Sequence, residues 1–236
     1  MPSRREQPLL EYSYDPAVKY EICLDEVGRG PLFGRLYTGA VVIKRDGTFD
    51  RKNIKDSKKF SSKTKMKEVA KYIEENAICS NVHFVESTTI DEINILQAVY
   101  KSMHENIRCI LDKLILSDPT FSYDDVLIVV DGDRFKPFVV YNNLKESMQE
   151  IPHITIEQGD AKYVGIASAS IIAKVAHDSY IHDMCLEYPL LNERYELDKN
   201  VGYGTSAHIT GIKTYGITQW HRKSYGICKT AVYSPL

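Results

Sequence analysis

The 236-residue sequence contains no CxxC pair, no HExxH, no GxxxxGK[ST] loop and no GxSxG turn, and each absence removes a class of chemistry. The five cysteines, at positions 23, 79, 109, 185 and 228, are odd in number, and the closest two are thirty residues apart. Such spacing excludes a clustered zinc site and argues for reduced thiols rather than a disulfide framework. Without a phosphate-binding loop or a serine elbow, P-loop and α/β-hydrolase chemistry are also set aside. No apolar run is long enough for a transmembrane helix, and Met1-Pro2-Ser3-Arg4-Arg5-Glu6-Gln7 does not lead into a signal-peptide core. The expectation is a soluble intracellular, cytoplasmic protein with no membrane partner.

Acidic residues are missing after Asp198, whereas Lys199, Lys213, Arg222, Lys223 and Lys229 occur there. A second basic stretch, Arg51 to Lys71, carries nine Lys or Arg against Asp56 and Glu68. The net charge of −2 gives the whole chain no pull toward polyanions. The two basic regions are therefore either solvated faces or a local field for a nucleic acid.

What the sequence does contain is apolar runs that end in carboxylates. Tyr20-Glu21-Ile22-Cys23-Leu24 reaches Asp25-Glu26 and then the turn Val27-Gly28-Arg29-Gly30-Pro31-Leu32-Phe33-Gly34. Val126-Leu127-Ile128-Val129-Val130, an unbroken run typical of a strand covered on both faces, ends on Asp131-Gly132-Asp133. Ile154-Thr155-Ile156-Glu157 runs into Gln158-Gly159-Asp160. Strands normally end in neutral turn residues, so these acids are either solvated strand ends or parts of a site. If the strands are neighbours, the carboxylates converge. Like charges a few ångströms apart raise one another's pKa and destabilise the fold unless a cation neutralises them. Carboxylate oxygens without His or Cys suit Mg²⁺ or Mn²⁺, and two such ions can clamp an in-line phosphoryl displacement. A dinucleotide loop fits worse, because Phe33 stands in place of the third glycine and Asp25-Glu26 would repel a pyrophosphate.

The remaining pattern places these strands among helices in one main domain. Residues 1–18 are polar and aperiodic and read as a flexible N-terminal arm before a domain spanning 19–236. Tyr37 to Ile43 is a partner for the first strand. Ser61 or Ser62 caps a helix whose apolar face is Met66, Val69, Ala70 and Ile73, and Val82 to Val85 is a short strand. Thr89-Ile90-Asp91-Glu92 reads as a capping box opening a helix through Ile93, Leu96, Val99, Met103, Ile107, Ile110 and Leu114. The small residues of Gly165 to Val175 predict a helix lying close against a sheet, and Gly202-Tyr203-Gly204-Thr205 precedes a short helix ending near Gly216. Tyr203 on its own reads as a half-buried core tyrosine.

The blocks Asp25 to Gly34, Asp56-Ser57-Lys58-Lys59, Ile90 to Ala98, Val130-Asp131-Gly132, Gly159-Asp160-Ala161-Lys162, Ala167 to Val175, Gly202-Tyr203-Gly204-Thr205 and His221-Arg222-Lys223-Ser224 occur in the order found in ribonuclease HII. The sequence resembles that family over roughly residues 20 to 225. The resemblance implies an α/β, RNase H-like fold, with a central mixed β-sheet flanked by helices and a small helical C-terminal part. It implies a two-metal endonuclease, using Mg²⁺ or Mn²⁺, that cuts 5′ to ribonucleotides in RNA/DNA hybrids and at single ribonucleotides in duplex DNA. Cleavage would leave 3′-hydroxyl and 5′-phosphate ends, as suits ribonucleotide excision repair.

Carried onto this chain, the family's acidic quartet falls on Asp25, Glu26, Asp131 and Asp160. Its ribose sensor falls on Gly28, Arg29 and Gly30, and its sugar-packing tyrosine on Tyr203. Lys58, Lys59 and Arg222 are candidates for phosphate contact. Asp133 lies outside the family pattern, Arg35 stands where proline is usual, and His177 stands where arginine is common. The expectation is a monomer without the long N-terminal domain of ribonuclease HIII and, from the ending Tyr233-Ser234-Pro235-Leu236, without a sliding-clamp motif. The competing readings are another RNase H-like nuclease, such as a resolvase or exonuclease, or a non-catalytic module that binds hybrids.

Overall fold

The computed structural model describes residues 9–236. The first apolar run forms β1 (Tyr20–Val27), which pairs antiparallel with β2 (Leu36–Val42); β2 in turn pairs antiparallel with β3 (Cys79–Val85). On its other edge β1 lies parallel to β4 (Val126–Asp131). A hairpin, β5 (Phe138–Asn142) and β6 (Ser147–Ile151), follows as a separate two-stranded sheet. The chain then returns as β7 (His153–Ile156), parallel to β4, and the five-stranded sheet runs β3-β2-β1-β4-β7. It is the mixed sheet the sequence implied.

Helices cover both faces. One face carries α3 (Ile95–Ser117), whose Val99, Met103, Ile107, Ile110 and Leu114 meet Ile22, Leu24, Ile128 and Val130. On the other face lie α1 (Lys63–Asn76) and α4 (Val164–Glu187). Ser62 caps α1 by accepting from the Lys65 N–H, and Met66, Val69, Ala70 and Ile73 are its buried residues, as the sequence predicts. The small residues of α4 do what the sequence expects of them. A Cβ on Gly165 would stand 2.3 Å from the Cys23 sulfur, and one on Gly39 of β2 would stand 2.2 Å from the Ala169 carbonyl. Helix and strands thus approach closer than larger side chains permit.

Two expectations need correction, a third falls partly outside the described residues, and some elements were not foreseen. The helix expected from Thr89 is two helices, α2 (Ser87–Ile93) and α3, broken at Asn94 with φ +66°. The Asn94 carboxamide caps α3 by accepting from Leu96 and Gln97 N–H, so Thr89 lies inside a helix rather than at its cap. The strand expected at Val82 begins at Cys79. The arm expected over 1–18 lies partly outside the described residues, and what is described is tied down. Glu11 bridges Lys162 and Val164 through the backbone, and the Tyr12 hydroxyl donates to the Phe49 carbonyl. Finally, the hairpin and two helices, α5 (Pro189–Tyr195) and α6 (Leu197–Asn200), went unforeseen. No described helix is long and apolar enough to cross a membrane.

Helices α5, α6 and α7 (Ser206–Tyr215) pack with Phe33, Ile217 and Cys228 into a further apolar cluster. Two buried histidines pass through this layer. The Thr218 N–H donates to His221 Nδ1 at 3.0 Å, which leaves the proton on Nε2. His221 Nε2 then donates to His208 Nε2 at 3.1 Å, and His208 Nδ1 donates to the Tyr203 carbonyl at 3.0 Å. The whole relay is satisfied only while both rings are neutral. Burial, followed by its neighbour His208, pushes His221 down to about 3, and burial lowers His208 as well. Because the folded-state values lie below the ordinary value of about 6.5, the unfolded chain gains protons first as pH falls. Stability from the relay is therefore complete above about pH 6.5 and is lost below it, at up to about 1.4 kcal/mol per pH unit for each ring. The stability advantage of the wild type over His221→Gln, measured by urea unfolding, is expected to shrink by about 2 kcal/mol between pH 6.5 and pH 5.

Candidate active site

Parallel pairing of Leu24 with Val130 puts the next residues, Asp25 and Asp131, side by side on neighbouring strands. Asp160 arrives from the single 3₁₀ turn Gly159–Ala161 that follows β7. Glu26, the last residue but one of β1, completes the group at the same end of the sheet. Sequence alternation sends Asp25 to the face covered by α4, beside Ser170, whereas Glu26 alternates to the opposite face. The two adjacent acids are thus inside the strand rather than in the turn after it.

Two carboxylates meet a backbone N–H donor and two meet a cation from the chain itself. Asp25 Oδ1 accepts from the Glu26 N–H at 2.7 Å. Glu26 Oε1 lies 3.1 Å from Arg29 Nη1, and Asp160 Oδ2 lies 3.3 Å from Lys58 Nζ. Asp131 Oδ1 accepts from the Gly159 N–H at 2.6 Å. These contacts do not cancel the burial. Burial, then Glu26 and Asp131, holds Asp25 well above the usual carboxylate range. Asp131 is raised by burial and by Asp160, and Glu26 by burial, against the lowering effect of Arg29. For Lys58, burial works against the charge, but Asp160 outweighs it and raises the pKa.

The donor set is all carboxylate oxygen, which fits a hard divalent ion such as Mg²⁺ or Mn²⁺ and not a soft one. With the side chains turned to their internal partners, no three His, Cys, Asp or Glu among the described residues stand close enough to hold an ion.

Beside the acids lies the Gly28-Arg29-Gly30 turn. Gly28 has φ +92°, a left-handed conformation that favours glycine, and a Cβ there would meet His177 Cδ2 at 3.0 Å and the Arg35 carbonyl at 3.1 Å. Gly30 is exposed, and Tyr203 approaches it with Cε1 3.4 Å from where a Cβ would be. Tyr203 keeps 41% of its surface exposed, so it is half-buried as its sequence context suggested, but it lies outside the apolar clusters. Arg29 is half exposed, and Lys59 is exposed at the end of a short turn, Ser57–Lys59, that also carries Lys58.

Arg222 is the correction. Expected at a phosphate, its guanidinium is fully buried and its donors are spent on the carbonyls of Gly28, Arg29, Gly34 and Arg35. Sequence reasoning missed this role, although one signal was present. The signal was its place in the His221-Arg222-Lys223-Ser224 block, although residue type alone does not separate a phosphate contact from a guanidinium satisfied by backbone carbonyls. Asp133 is a surface acid paired with Arg134 at 3.5 Å. Arg35 lies between the rings of Phe84 and Tyr180, at 4.0 and 4.4 Å, and pairs with Glu86 at 2.7 Å. His177 is buried against Gly28 with Nδ1 toward Asp178.

Comparison with known proteins agrees with the geometry. A family model described as Ribonuclease HII matches residues 22–228. The curated Ribonuclease HII of Parabacteroides distasonis is 36% identical over 207 residues, 88% of this chain and 90% of the relative. That of Christiangramia forsetii is 37% identical over 201 residues, 85% and 87% of the two chains. The solved PCNA:RNase HII complex from Archaeoglobus fulgidus contains a chain with TM-score 0.61 and 22% identity, covering 88% of this chain and 96% of that one, a likeness of fold.

Buried like charges cost stability that an amide does not. Asp25→Asn is expected to raise the melting temperature in EDTA by roughly 2–8 °C, on the order of 1–2 kcal/mol. The same variant is expected to lose the rise in melting temperature that Mg²⁺ or Mn²⁺ gives the wild type. A lower melting point in EDTA would show that the carboxylate stabilises the fold instead.

Proposed function

This chain belongs to the ribonuclease HII family and is a type 2 ribonuclease H, an endonuclease acting on nucleic acid, and we propose that it cuts duplex DNA 5′ to an embedded ribonucleotide as well as RNA/DNA hybrids. The observation that carries the reading is the approach of Tyr203 to Gly30, its Cε1 3.4 Å from where a Cβ on that glycine would be, in the turn that follows Asp25 and Glu26. A sugar-reading surface and a phosphate-cutting surface would share one end of the sheet.

Asp25, Glu26, Asp131 and Asp160 would hold the divalent ions, Mg²⁺ or Mn²⁺, on which the family depends. Bound there, two such ions supply an activated water and charge stabilisation for the departing 3′ oxygen. The chain's own residues do the rest. The turn at Gly28-Arg29-Gly30 offers backbone donors and acceptors to the 2′-hydroxyl that separates RNA from DNA, and the absence of side chains on its glycines lets the strand come close. Tyr203 packs on the following sugar and favours a deoxyribose there. Lys58 and Lys59 neutralise the backbone phosphates, and Lys58 is 81% exposed and able to move from Asp160 to a phosphate. Residues 19–236 then form one catalytic unit working as a monomer. The Archaeoglobus fulgidus relative was solved as a complex with PCNA, and this reading needs no such partner for cleavage.

A three-substrate assay tests the reading: a duplex with one ribonucleotide, an RNA/DNA hybrid and an all-DNA duplex, each with Mg²⁺ or Mn²⁺. Nicking of the first two with 3′-hydroxyl and 5′-phosphate ends, and a loss of about 10³-fold or more in Asp131→Asn, is the expected outcome. Equal cutting of the all-DNA duplex would point to a resolvase or exonuclease, and binding without products to a non-catalytic module. Arg29→Ala is expected to raise KM for the single-ribonucleotide duplex about tenfold while leaving divalent-ion affinity unchanged or higher, because Glu26 loses its internal cation. Weaker ion binding with unchanged KM would contradict that division of labour.

A further inference from the structure

A fully buried arginine with no ion pair among the described residues is costly to keep. Arg222 is such a residue, and what it holds is one loop. Nε donates to the Gly34 carbonyl at 3.0 Å, Nη1 to Arg29 at 3.0 Å, and Nη2 to Gly28 at 2.7 Å and Arg35 at 3.0 Å. The backbone adds to the clamp: Arg222 N–H donates to Leu32, Gly34 N–H to Trp220, and Leu32 N–H to Gly202. The Tyr225 hydroxyl donates to the Arg29 carbonyl at 3.0 Å.

The residue immediately before Arg222 reaches Tyr203. His221 passes through His208 to the carbonyl of Tyr203, and the Tyr203 ring stands over Gly30. Two consecutive residues of one C-terminal segment therefore fix the two elements that flank the sugar: Arg222 the Gly28–Gly30 turn, and His221 the tyrosine. Neither is exposed to a ligand. Each acts on groups whose value depends on being held within a few tenths of an ångström of a single hydroxyl.

We propose that His221 and Arg222, joined by Tyr225, are positioning residues that set the gap between the Gly28-Arg29-Gly30 turn and the Tyr203 ring, and that this gap sets the preference for an RNA–DNA junction over a uniform hybrid. The inference rests on the ribonucleotide-cutting reading given above and deepens it. Phosphate contacts from Lys58 and Lys59 lie outside the clamp, so loosening it costs discrimination before it costs binding.

The test compares kcat/KM on the single-ribonucleotide duplex and on the uniform RNA/DNA hybrid for wild type, Arg222→Lys and Tyr225→Phe, with thermal melts of each. A variant that merely lost folded molecules lowers both rates by the same factor, so the ratio reports positioning alone. Tyr225→Phe removes one hydrogen bond from a partly exposed side chain and is expected to lower the junction-to-hybrid ratio about threefold. Arg222→Lys loses the planar fork and is expected to lower it about tenfold or more. An unchanged ratio in both variants overturns the proposal. Should Arg222→Lys fail to melt cooperatively, the Tyr225→Phe ratio decides it. A wild type that cuts the hybrid but shows no junction preference removes the proposal together with the junction reading. A wild type that prefers the junction, beside variants that do so equally, removes the proposal alone.

Discussion

Parallel pairing of β1 with β4 sets two carboxylates next to each other, and much of the rest of the molecule compensates for that placement. Leu24 opposite Val130 leaves Asp25 beside Asp131 with no freedom to separate. Like charges so placed are tolerable only with compensation nearby. The chain supplies it from three directions: Arg29 from the turn after β1, Lys58 from the stretch before α1, and the Gly159 N–H from the turn after β7. Each compensating group belongs to a segment that is otherwise a connection. The fold thus routes its loops to one end of the sheet because the strands deliver charge there.

The acids were legible in the sequence because they interrupt apolar runs, and an interruption survives without knowledge of the fold. Strand order was not, since nothing in Val126–Val130 says that β1 lies on one side and β7 on the other. The face of α1 was legible for a similar reason: Met66, Val69, Ala70 and Ile73 repeat at the helical period. The break at Asn94 was not, because an asparagine with positive φ is a local conformational choice that the long apolar repeat on either side conceals. Segments α5 and α6 are short and bounded by Glu196 and Val201 in left-handed conformations, which only the surrounding cluster of Phe33, Leu191 and Leu197 enforces.

Arg222 shows the limit of reading charge as exposure. Lysine-rich stretches are solvated more often than not, and Lys58 and Lys59 obey that rule, but a guanidinium can be satisfied entirely by carbonyl oxygens. The turn from Gly28 to Arg35 exposes several carbonyls at once because its glycines and the absence of regular pairing leave them without strand partners. A residue whose type announces an anion-binding surface is instead the internal strut of a loop. Its neighbour His221 is likewise buried, and burial lowers its pKa.

The β5–β6 hairpin interrupts the chain between two acid-bearing segments and yet turns away from them. It is anchored by buried Phe138 and Ile151, and near its turn Lys145 and Gln149 bond to Asp124, at the start of β4 and so at the end of the sheet opposite Asp131. Leu144 at the turn is 92% exposed. The excursion therefore carries the chain from the acids to the far rim and back without altering the register of β4 and β7. That makes the hairpin tip a natural attachment point, where a fluorophore, an affinity handle or a whole guest domain can be grafted with the acid-bearing end of the sheet left clear.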